Sequence, residues 1–430
     1  MRAGQLGQRI FFRAKYRQAE SASSAIFRHP GTVRVNIGAS TCQPVSSLLE
    51  DIRDGLPVDR RVAHQLIQCA EEDVPALLAA ARGVKGRFRP GLVTYSRKVF
   101  LPLTNLCRDY CRYCTFRKDP EDPGAHTMTP EEVLEIARAG ERLGCREALF
   151  SLGDKPEWLF PEMRATLERL GYRSTLHYLE AMCELVLRET GLLPHANPGL
   201  MSGEWIERLA RYCPSLGLMV ETTADALLRP GGAHDQAPDK VPGKRFRVLE
   251  EAGKRGVPFT TGLLIGIGET REDRVETLFA IRAMHQRYGH IQEVIAQNFR
   301  AKPDIPMSSW PEPTRDEMLR TVAVARLILQ DINLQAPPNL FSPDYPELLQ
   351  AGINDWGGVS PLTPDHINPE APWPQLRELE ARTAQGGCRL RHRLTVYPEF
   401  LPRVLERGGL LAERVSAAMD DEGYARGAAA

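Results

Sequence analysis

Short apolar runs alternate with longer amphipathic stretches between residues 99 and 359, and this alternation is the strongest constraint on the fold. Eight runs are candidate strands: 99–103, 148–152, 192–195, 216–220, 258–265, 293–297, 334–336 and 355–359. Eight strand–helix units predict an α/β fold of the TIM-type (β/α) barrel class. An open doubly wound sheet has the same periodicity and remains an alternative. In both folds, functional groups gather at the carboxyl ends of the strands.

Helix-start signals support the alternation. Thr129-Pro130-Glu131-Glu132 is typical of a capping box with proline at the first helical position, and the box is repeated at Thr314 to Glu317. Residues 246–255 and 272–288 are also amphipathic. We expect residues 48–98 to form an N-terminal helical segment, residues 99–360 the barrel core, and residues 361–430 a C-terminal extension of loops and helix. The Pro-, Asn- and Asp-rich residues 337–374 are expected to form ordered loops near the barrel mouth.

Charge and hydropathy exclude several classes of protein. The 430 residues hold 55 Lys plus Arg and 55 Asp plus Glu, so no net charge favours nucleic-acid binding. The apolar runs are far shorter than the roughly 18 residues of a membrane helix. Residues 1–47 carry seven basic residues and one acidic residue, Glu20. They are predicted to be a basic, disordered leader, with an organelle transit peptide as the alternative.

The nine cysteines do not form a secreted disulfide pattern, because their number is odd and most are isolated. We therefore expect a reducing, cytoplasmic location. Cys107, Cys111 and Cys114 instead crowd into eight residues directly after the first predicted strand. Three thiolates at this spacing can bind one face of a 4Fe-4S cluster and leave one iron open. A zinc site with His126 as fourth ligand, or an electron-carrying protein, is the alternative.

The motif Cys-x3-Cys-x-Tyr-Cys after the first strand resembles that of the radical S-adenosylmethionine (SAM) superfamily. Further segments are similar to the subunit 1 branch of the FO synthases (CofG) over roughly residues 48–400. These segments are 104–109, 114–117, 151–157, 297–303 and 354–361. The Gly-Asp-Lys-Pro-Glu segment at 153–157 departs from the Gly-Gly-Glu form common in the superfamily, which leaves its individual contacts open.

The resemblance implies that SAM binds the open iron of the cluster, and that a 5′-deoxyadenosyl radical then abstracts a hydrogen atom from the substrate. The cluster ligands would be Cys107, Cys111 and Cys114. The residues expected around SAM are Tyr113, Gly153, Asp154, Asn197, Glu221 and Gly266. The residues expected to face the substrate are Gln297, Asn298, Arg300, Asn354, Asp355 and Trp356. No catalytic acid or base is assigned, although Asp154, Lys155, His195 and Glu221 are eligible.

The resemblance also implies a substrate and partners. Subunit 2 (CofH) would couple a tyrosine-derived hydroxybenzyl group to 5-amino-6-(ribitylamino)uracil. This chain would close the central ring of the 8-hydroxy-5-deazaflavin chromophore of coenzyme F-420, with loss of ammonia, using electrons from an external donor. No nucleic-acid or membrane partner is expected. The tyrosine coupling itself, or a sulfur insertion like that of biotin synthase, is the alternative radical SAM reaction.

Overall fold

The computed structural model describes residues 43–427. The prediction of a basic leader over residues 1–47 therefore lies mostly outside the described residues. In the part of the chain that the structure describes, three α-helices precede the first strand: α1 (Val45–Arg53), α2 (Arg60–Ile67) and α3 (Val74–Phe88). No helix in residues 43–427 is long and apolar enough to cross a membrane.

The strands form one parallel sheet that closes on itself. They are β1 (Leu92–Thr104), β2 (Glu147–Leu152), β3 (Leu193–Asn197), β4 (Ser215–Gly217), β5 (Phe259–Ile265), β6 (Ile291–Asn298), β7 (Asn333–Gln335), β8 (Asp355–Val359) and β9 (Arg389–His392). The order β2 to β8 is consecutive, and β1 pairs with both β8 and β2. The predicted barrel is therefore confirmed over the open sheet, because an open sheet would leave β2 and β8 as edges.

Helices alternate with the strands and cover the outside of the barrel. They are α4 (Pro130–Arg142), α5 (Pro161–Leu170), α6 (Thr175–Glu189), α7 (Gly203–Leu209), α8 (Pro242–Lys254), α9 (Arg271–Tyr288), α10 (Arg315–Leu329), α11 (Leu376–Gln385), α12 (Leu401–Leu405) and α13 (Gly409–Ala418). The predicted capping box at Thr129 is present in full. At α10 only half of the box forms, because the Glu317 carboxylate bonds Arg271 and Arg274 instead of the helix start.

Strand β1 is longer than predicted, beginning at Leu92 rather than residue 99. Its first residues pair with β9 at Leu92 to Tyr95, while its last residues pair with β2. Polar side chains such as Ser96 and Lys98 interrupt the apolar pattern there, yet both are buried. They are buried because they bond Glu147 inside the barrel, at 2.5 and 2.7 Å.

The amino-terminal end of the barrel is filled by the segment that follows β9. Residues 393–397 enter the barrel, where Arg393 bonds Asp355 at 2.7 Å and Glu293 at 2.9 Å. The Tyr397 hydroxyl donates to Glu293 at 2.7 Å. We call Lys98, Glu147, His195, Glu293, Asp355, Arg393 and Tyr397 the floor network. It closes the end of the barrel opposite to the carboxyl ends of the strands.

Parts of residues 337–374 lie at the other end of the barrel, which we call the mouth, but the range is not loop throughout, because β8 (Asp355–Val359) interrupts it and begins at the floor. The Asn298 amide, at the end of β6, donates to the Leu340 carbonyl at 3.0 Å. Thr363 accepts a hydrogen bond from the Phe100 backbone at 2.9 Å, and Trp373 stacks on the Phe100 ring at 5.2 Å. The extension after β8 therefore covers the side of β1 and reaches the carboxyl ends of the strands.

Candidate functional site

The three clustered cysteines lie in the loop that follows β1, at the mouth. Cys111 is buried, and Cys107 and Cys114 are half-buried. Burial raises the pKa of the Cys107 thiol well above its usual range and that of Cys111 to about 12, and neighbouring acidic groups and thiols add to both shifts. Thiolates at these positions are costly without a compensating cation, so the donor set suits a bound metal centre.

A structural zinc ion takes four Cys or His ligands, so a zinc ion bound by the three cysteines would need a fourth partner. His126, the predicted fourth zinc ligand, is exposed and bonds Glu132 at 3.0 Å. The residues present therefore fit an iron–sulfur cluster better than a zinc ion.

Backbone amides approach the first cysteine closely. The Asp154 and Asp109 N–H groups donate to the Cys107 sulfur at 3.2 and 3.4 Å. A Cβ added at Gly153 would lie 1.9 Å from the Leu106 carbonyl oxygen and 2.6 Å from the Cys107 Cβ. Gly153 therefore lets the loop after β2 pack against the cysteine loop. Such N–H donors stabilise thiolate ligands and tune cluster potentials.

Charged side chains fix the base of the cysteine loop. The Arg108 guanidinium bonds both oxygens of Asp239 at 2.5 Å, and Lys155 bonds Asp154 at 2.5 Å. The Asp109 carboxylate accepts from the Asp239 backbone at 3.0 Å. Burial raises the pKa of Asp109 to about 6, and the nearby Asp154 and Asp239 carboxylates add to this shift. The loops after β1, β2 and β4 are thereby held together as one unit.

The segment 222–241, between β4 and α8, wraps the cysteine loop, and we did not predict this from sequence. Its Gln236 carbonyl accepts from the Tyr110 backbone at 2.9 Å, and its Ala233 carbonyl accepts from the Arg112 backbone at 3.0 Å. The only sequence signal was that this segment is long, lacks an apolar periodicity and follows the carboxyl end of a strand. These bonds fix the path of the chain between Cys107 and Cys114.

Tyr113 lies between two residues of the same segment. Its hydroxyl is 3.1 Å from His234 Nε2, and the Lys240 ammonium is 5.9 Å from its ring centre. Lys240 also bonds Glu221 at 2.6 Å. Glu221 has a φ of +68°, a left-handed conformation that is rare outside glycine and is concentrated at functional sites. The structure thus brings Tyr113 and Glu221 to the cysteine loop together with Lys240, which sequence reasoning missed.

Two further residues expected around SAM lie at neighbouring strand ends. Asn197, the last residue of β3, is half-buried and pairs in register with Ser151. Gly266 follows β5 with a φ of +94°, and an added Cβ would lie 2.6 Å from Pro313. The Gly266 carbonyl accepts from the Trp310 indole at 3.1 Å. Both positions belong to the mouth.

The residues expected after β6 divide into two groups. Gln297 is half-buried at the end of the strand, and the Asn298 side chain bonds the Leu340 carbonyl, as described above. Arg300 is partly exposed, and its guanidinium lies 3.3 Å from the Glu312 carboxylate. Gln297 and Asn298 therefore lie at the mouth end of β6, whereas the Arg300 guanidinium is already paired with Glu312.

Asn354, Asp355 and Trp356 are not brought to the mouth. Asp355 pairs in register with Thr94, ten residues before the end of β1, which corresponds to about 30 Å along a strand. The Asn354 side chain accepts from Arg326 at 2.6 Å. The Trp356 indole donates to Thr383 at 2.9 Å. All three are buried and hydrogen-bonded at the floor end, so the structure assigns them a structural role.

The eligible acids and bases are also separated. His195 points into the floor network, where its Nδ1 lies 2.7 Å from the Ser215 hydroxyl. Burial lowers the pKa of His195 to about 4 despite the opposing effect of Glu147. Asp154, Lys155 and Glu221 remain at the mouth, each in an ion pair. His195 is thus removed from the group of residues that can act on a molecule bound there.

Comparison with known proteins is consistent with this geometry. The sequence model of the radical SAM superfamily matches residues 101–281, which include the cysteine loop and strands β2 to β5. A 7,8-didemethyl-8-hydroxy-5-deazariboflavin synthase from Methanopyrus kandleri is 50% identical over 335 residues, covering 78% of this chain and 100% of that protein. The chain belongs to the FO synthase family of radical SAM enzymes. That relationship extends over the complete length of the Methanopyrus protein.

Other members of the FO synthase family are longer. The FO synthase of Streptomyces avermitilis is 51% identical over 374 residues, which is 84% of this chain but only 43% of that protein. The Streptomyces coelicolor protein is 50% identical, and 44% of it is covered. The chain therefore spans less than half the length of these relatives.

Solved structures with the same fold are more distant in sequence. The FeFe-hydrogenase maturase HydG from Carboxydothermus hydrogenoformans has a TM-score of 0.66 at 18% identity, covering 86% of this chain and 87% of that protein. Methylornithine synthase has a TM-score of 0.63 at 18% identity, covering 80% of this chain and 97% of that protein. At this identity the likeness shows the barrel fold alone.

Proposed function

We propose that this chain catalyses the ring-closing step in formation of the 8-hydroxy-5-deazaflavin chromophore of coenzyme F-420. The substrate would be the adduct of a hydroxybenzyl group and 5-amino-6-(ribitylamino)uracil, and ammonia would be lost. The main support is the 50% identity to the Methanopyrus synthase over that protein's entire length. We further propose that FO synthase subunit 2 is the functional partner that supplies the adduct.

Cys107, Cys111 and Cys114 are proposed to hold a 4Fe-4S cluster with one iron open to SAM. Two observations support this: the three sulfurs share one loop, and backbone amides donate to Cys107. The other cysteines of residues 43–427 are Cys69, Cys145, Cys183, Cys213 and Cys388. None of them lies in a loop at the mouth, which disfavours a second cluster of the kind used for sulfur insertion.

When bound, the cluster and SAM supply a radical that can abstract hydrogen from the substrate. The chain's own residues bind and orient. Asp154 and Glu221 are acceptors for the methionyl ammonium, and Lys240 is a donor for the carboxylate. Asn197, with a half-buried amide at the end of β3, can bond ribose hydroxyls. Tyr113, Gly153 and Gly266 shape the surrounding walls, and Gly153 does so by allowing the cysteine loop to pack closely.

The electron would come from an external donor, and the enzyme would work in a reducing compartment such as the cytoplasm. All eight cysteines of the described residues are free thiols, which supports that location. The balanced charge of the chain gives no basis for a nucleic-acid partner.

Incubation of the reduced enzyme with SAM and the subunit 2 adduct under anaerobic conditions tests the proposal. We expect deazaflavin fluorescence together with 5′-deoxyadenosine. If 5′-deoxyadenosine forms without deazaflavin, the ring-closing assignment is wrong while the radical SAM assignment stands. Tyrosine and 5-amino-6-(ribitylamino)uracil form the second substrate arm, and adduct formation there would indicate the coupling reaction instead.

A further inference from the structure

We propose that His234 is a positioning residue, which holds the Tyr113 ring in the orientation that the SAM site requires. Sequence reasoning did not single out His234, and it would act through Tyr113 rather than by touching the cofactor itself. This inference rests on the proposed function, in which Tyr113 forms part of the wall around SAM. It deepens that proposal by naming the residue that fixes this part of the wall.

The contact between the two side chains is direct. The Tyr113 hydroxyl lies 3.1 Å from His234 Nε2, and the two ring centres are 5.6 Å apart in an edge-to-face arrangement. His234 is the only hydrogen-bond partner of this hydroxyl among the described residues. A hydroxyl without a partner is unfavourable away from water, so this bond favours one orientation of the Tyr113 ring.

The His234 side chain is itself held in place. The residue is 3% exposed. Its backbone N–H donates to the Leu227 carbonyl at 2.9 Å, and its carbonyl accepts from the Ala237 backbone at 3.0 Å. Burial lowers the pKa of His234 to about 2, and the Lys240 and Arg245 cations add to this shift. The imidazole is therefore neutral, and it forms a neutral hydrogen bond with the phenol.

The segment that carries His234 is bonded to the cysteine loop close to Tyr113. The Tyr110 and Arg112 backbone N–H groups donate to carbonyls of residues 222–241 at 2.9 and 3.0 Å. The two backbones are therefore fixed relative to each other on the side of Tyr113 that precedes it in the chain. The fold, and not the rotation of either side chain alone, sets the distance between imidazole and phenol.

The Tyr113 ring lies among residues proposed to surround SAM. It is half-buried and packs against a buried apolar cluster that includes Leu264 and Ile267. These two residues lie on either side of Gly266, which is also expected at the SAM site. The Lys240 ammonium is 5.9 Å from the ring centre. A shift of the ring would therefore change the shape of this wall without moving the sulfurs that hold the cluster.

A double-mutant cycle on His234 and Tyr113 tests the inference. The probe is SAM, titrated calorimetrically into the protein with its oxidised cluster, so that no cleavage occurs. We expect His234→Phe, which keeps a ring but loses the bond, to weaken SAM binding about 3- to 10-fold, the range of one neutral hydrogen bond. Tyr113→Phe should weaken it by a similar factor. The double variant should be within about twofold of the weaker single variant, because both changes remove the same bond.

Two further variants separate positioning from a general effect on folding. His234→Gln supplies an amide that can bond the phenol, so it should recover most of the affinity lost in His234→Phe. His126→Phe is the matched control, because His126 is an exposed histidine bonded to Glu132. Its SAM affinity should equal that of the wild type. The iron content should be the same in all variants, since His234 bonds Tyr113 and not a cysteine.

Unchanged SAM affinity in His234→Phe, or losses that multiply in the double variant, would overturn the inference. A loss of iron that parallels the loss of affinity would show a structural role and would overturn it as well. Tyr113→Phe removes a single oxygen atom, so unchanged affinity in that variant is decisive even where His234→Phe does not fold. Failure of the wild type to form deazaflavin from the adduct overturns the ring-closing assignment independently, because SAM binding to the oxidised cluster does not depend on turnover.

Discussion

The two ends of the barrel both hold buried charges, but they differ in how those charges are satisfied. At the floor, Arg393 bonds Asp355 and Glu293, and Tyr397 adds a further bond to Glu293. At the mouth, buried thiols have raised pKa values, Glu221 has a left-handed backbone, and the Asn339 oxygen has no partner. Unpartnered buried atoms also occur toward the floor, at Tyr95, His290 and His392, so they do not distinguish the two ends. The ends differ in that the floor network neutralises its charges with ion pairs, whereas the mouth gathers three cysteines whose thiolates would need a bound cation.

The largest expected effect is the difference between replacing a cysteine at the mouth and replacing one at the floor end. Cys111→Ser should lose the cluster and all reductive SAM cleavage, because the remaining thiols cannot hold the cubane. Cys145→Ser is the matched control, since Cys145 is a buried thiol just before β2, at the floor end. We expect it to retain about four irons per chain. Iron and 5′-deoxyadenosine are measured after anaerobic reconstitution, and equal iron content in the two variants would contradict the contrast.

Removing the cation of the floor network should act on stability. Arg393→Met leaves Glu293 and Asp355 as buried carboxylates without their partner. The free energy of unfolding should fall by about 3–5 kcal/mol, as for other broken buried pairs. Denaturant unfolding measures this change. In the fraction that remains folded, the iron content should match the wild type, and a selective loss of iron would mean that the floor also shapes the cluster site.

The floor should also make stability dependent on pH. Burial acts to raise the pKa of Glu147, but Lys98, His195 and Arg393 outweigh it and lower the pKa to about 2. The folded carboxyl therefore has a lower pKa than the unfolded one, so its stabilisation is present above about pH 4.3 and is lost as the pH falls toward 2. His195, with a lowered pKa of about 4, acts in the same direction as the pH falls below about 6.5.

Glu147→Gln should remove the contribution of that carboxyl. Between pH 6 and pH 3 the free energy of unfolding should fall in both proteins. The fall should be about 2 kcal/mol smaller in Glu147→Gln than in the wild type. Glu276→Gln serves as a control, because Glu276 is an exposed carboxylate bonded to His64 at 2.9 Å. Denaturant titrations at each pH supply the comparison. Parallel pH profiles for the wild type and Glu147→Gln would show that Glu147 does not have a lowered pKa.

The smallest expected effect comes from replacing Asn354, one of the residues expected from the sequence to face the substrate. Asn354→Ala removes the acceptor of Arg326 and of the Leu334 backbone, which bond it at 2.6 and 2.9 Å. Stability should fall by roughly 1–2 kcal/mol. The KM for the adduct should not change, because Asn354 lies at the floor end. A tenfold rise in KM without loss of stability would return Asn354 to the binding site.

Sequence patterns predicted the architecture well because apolar periodicity is a local property. All eight predicted barrel strands are present, as is the capping box at Thr129. The cysteine triplet gave the position of the candidate site, since its spacing is unusual and it directly follows a strand. Residues 153–154 and 297–298 lie at the mouth, as expected for residues at the carboxyl ends of predicted strands, and their roles there stay predictions.

The errors arose where tertiary contacts decide the role of a residue. Asn354 to Trp356 look polar and aromatic enough to bind a ligand, but the start of β8 lies at the floor. Two segments without apolar periodicity were also missed. Residues 393–397 enter the barrel, and residues 222–241 wrap the cysteine loop.

The most direct test of the central claim is the spectrum of the reduced, anaerobically reconstituted protein with and without SAM. The account predicts about four irons per chain and an electron paramagnetic resonance signal that changes when SAM is added, because one iron is open to the ligand. Stoichiometric zinc, or a four-iron cluster whose signal is the same with and without SAM, would contradict it.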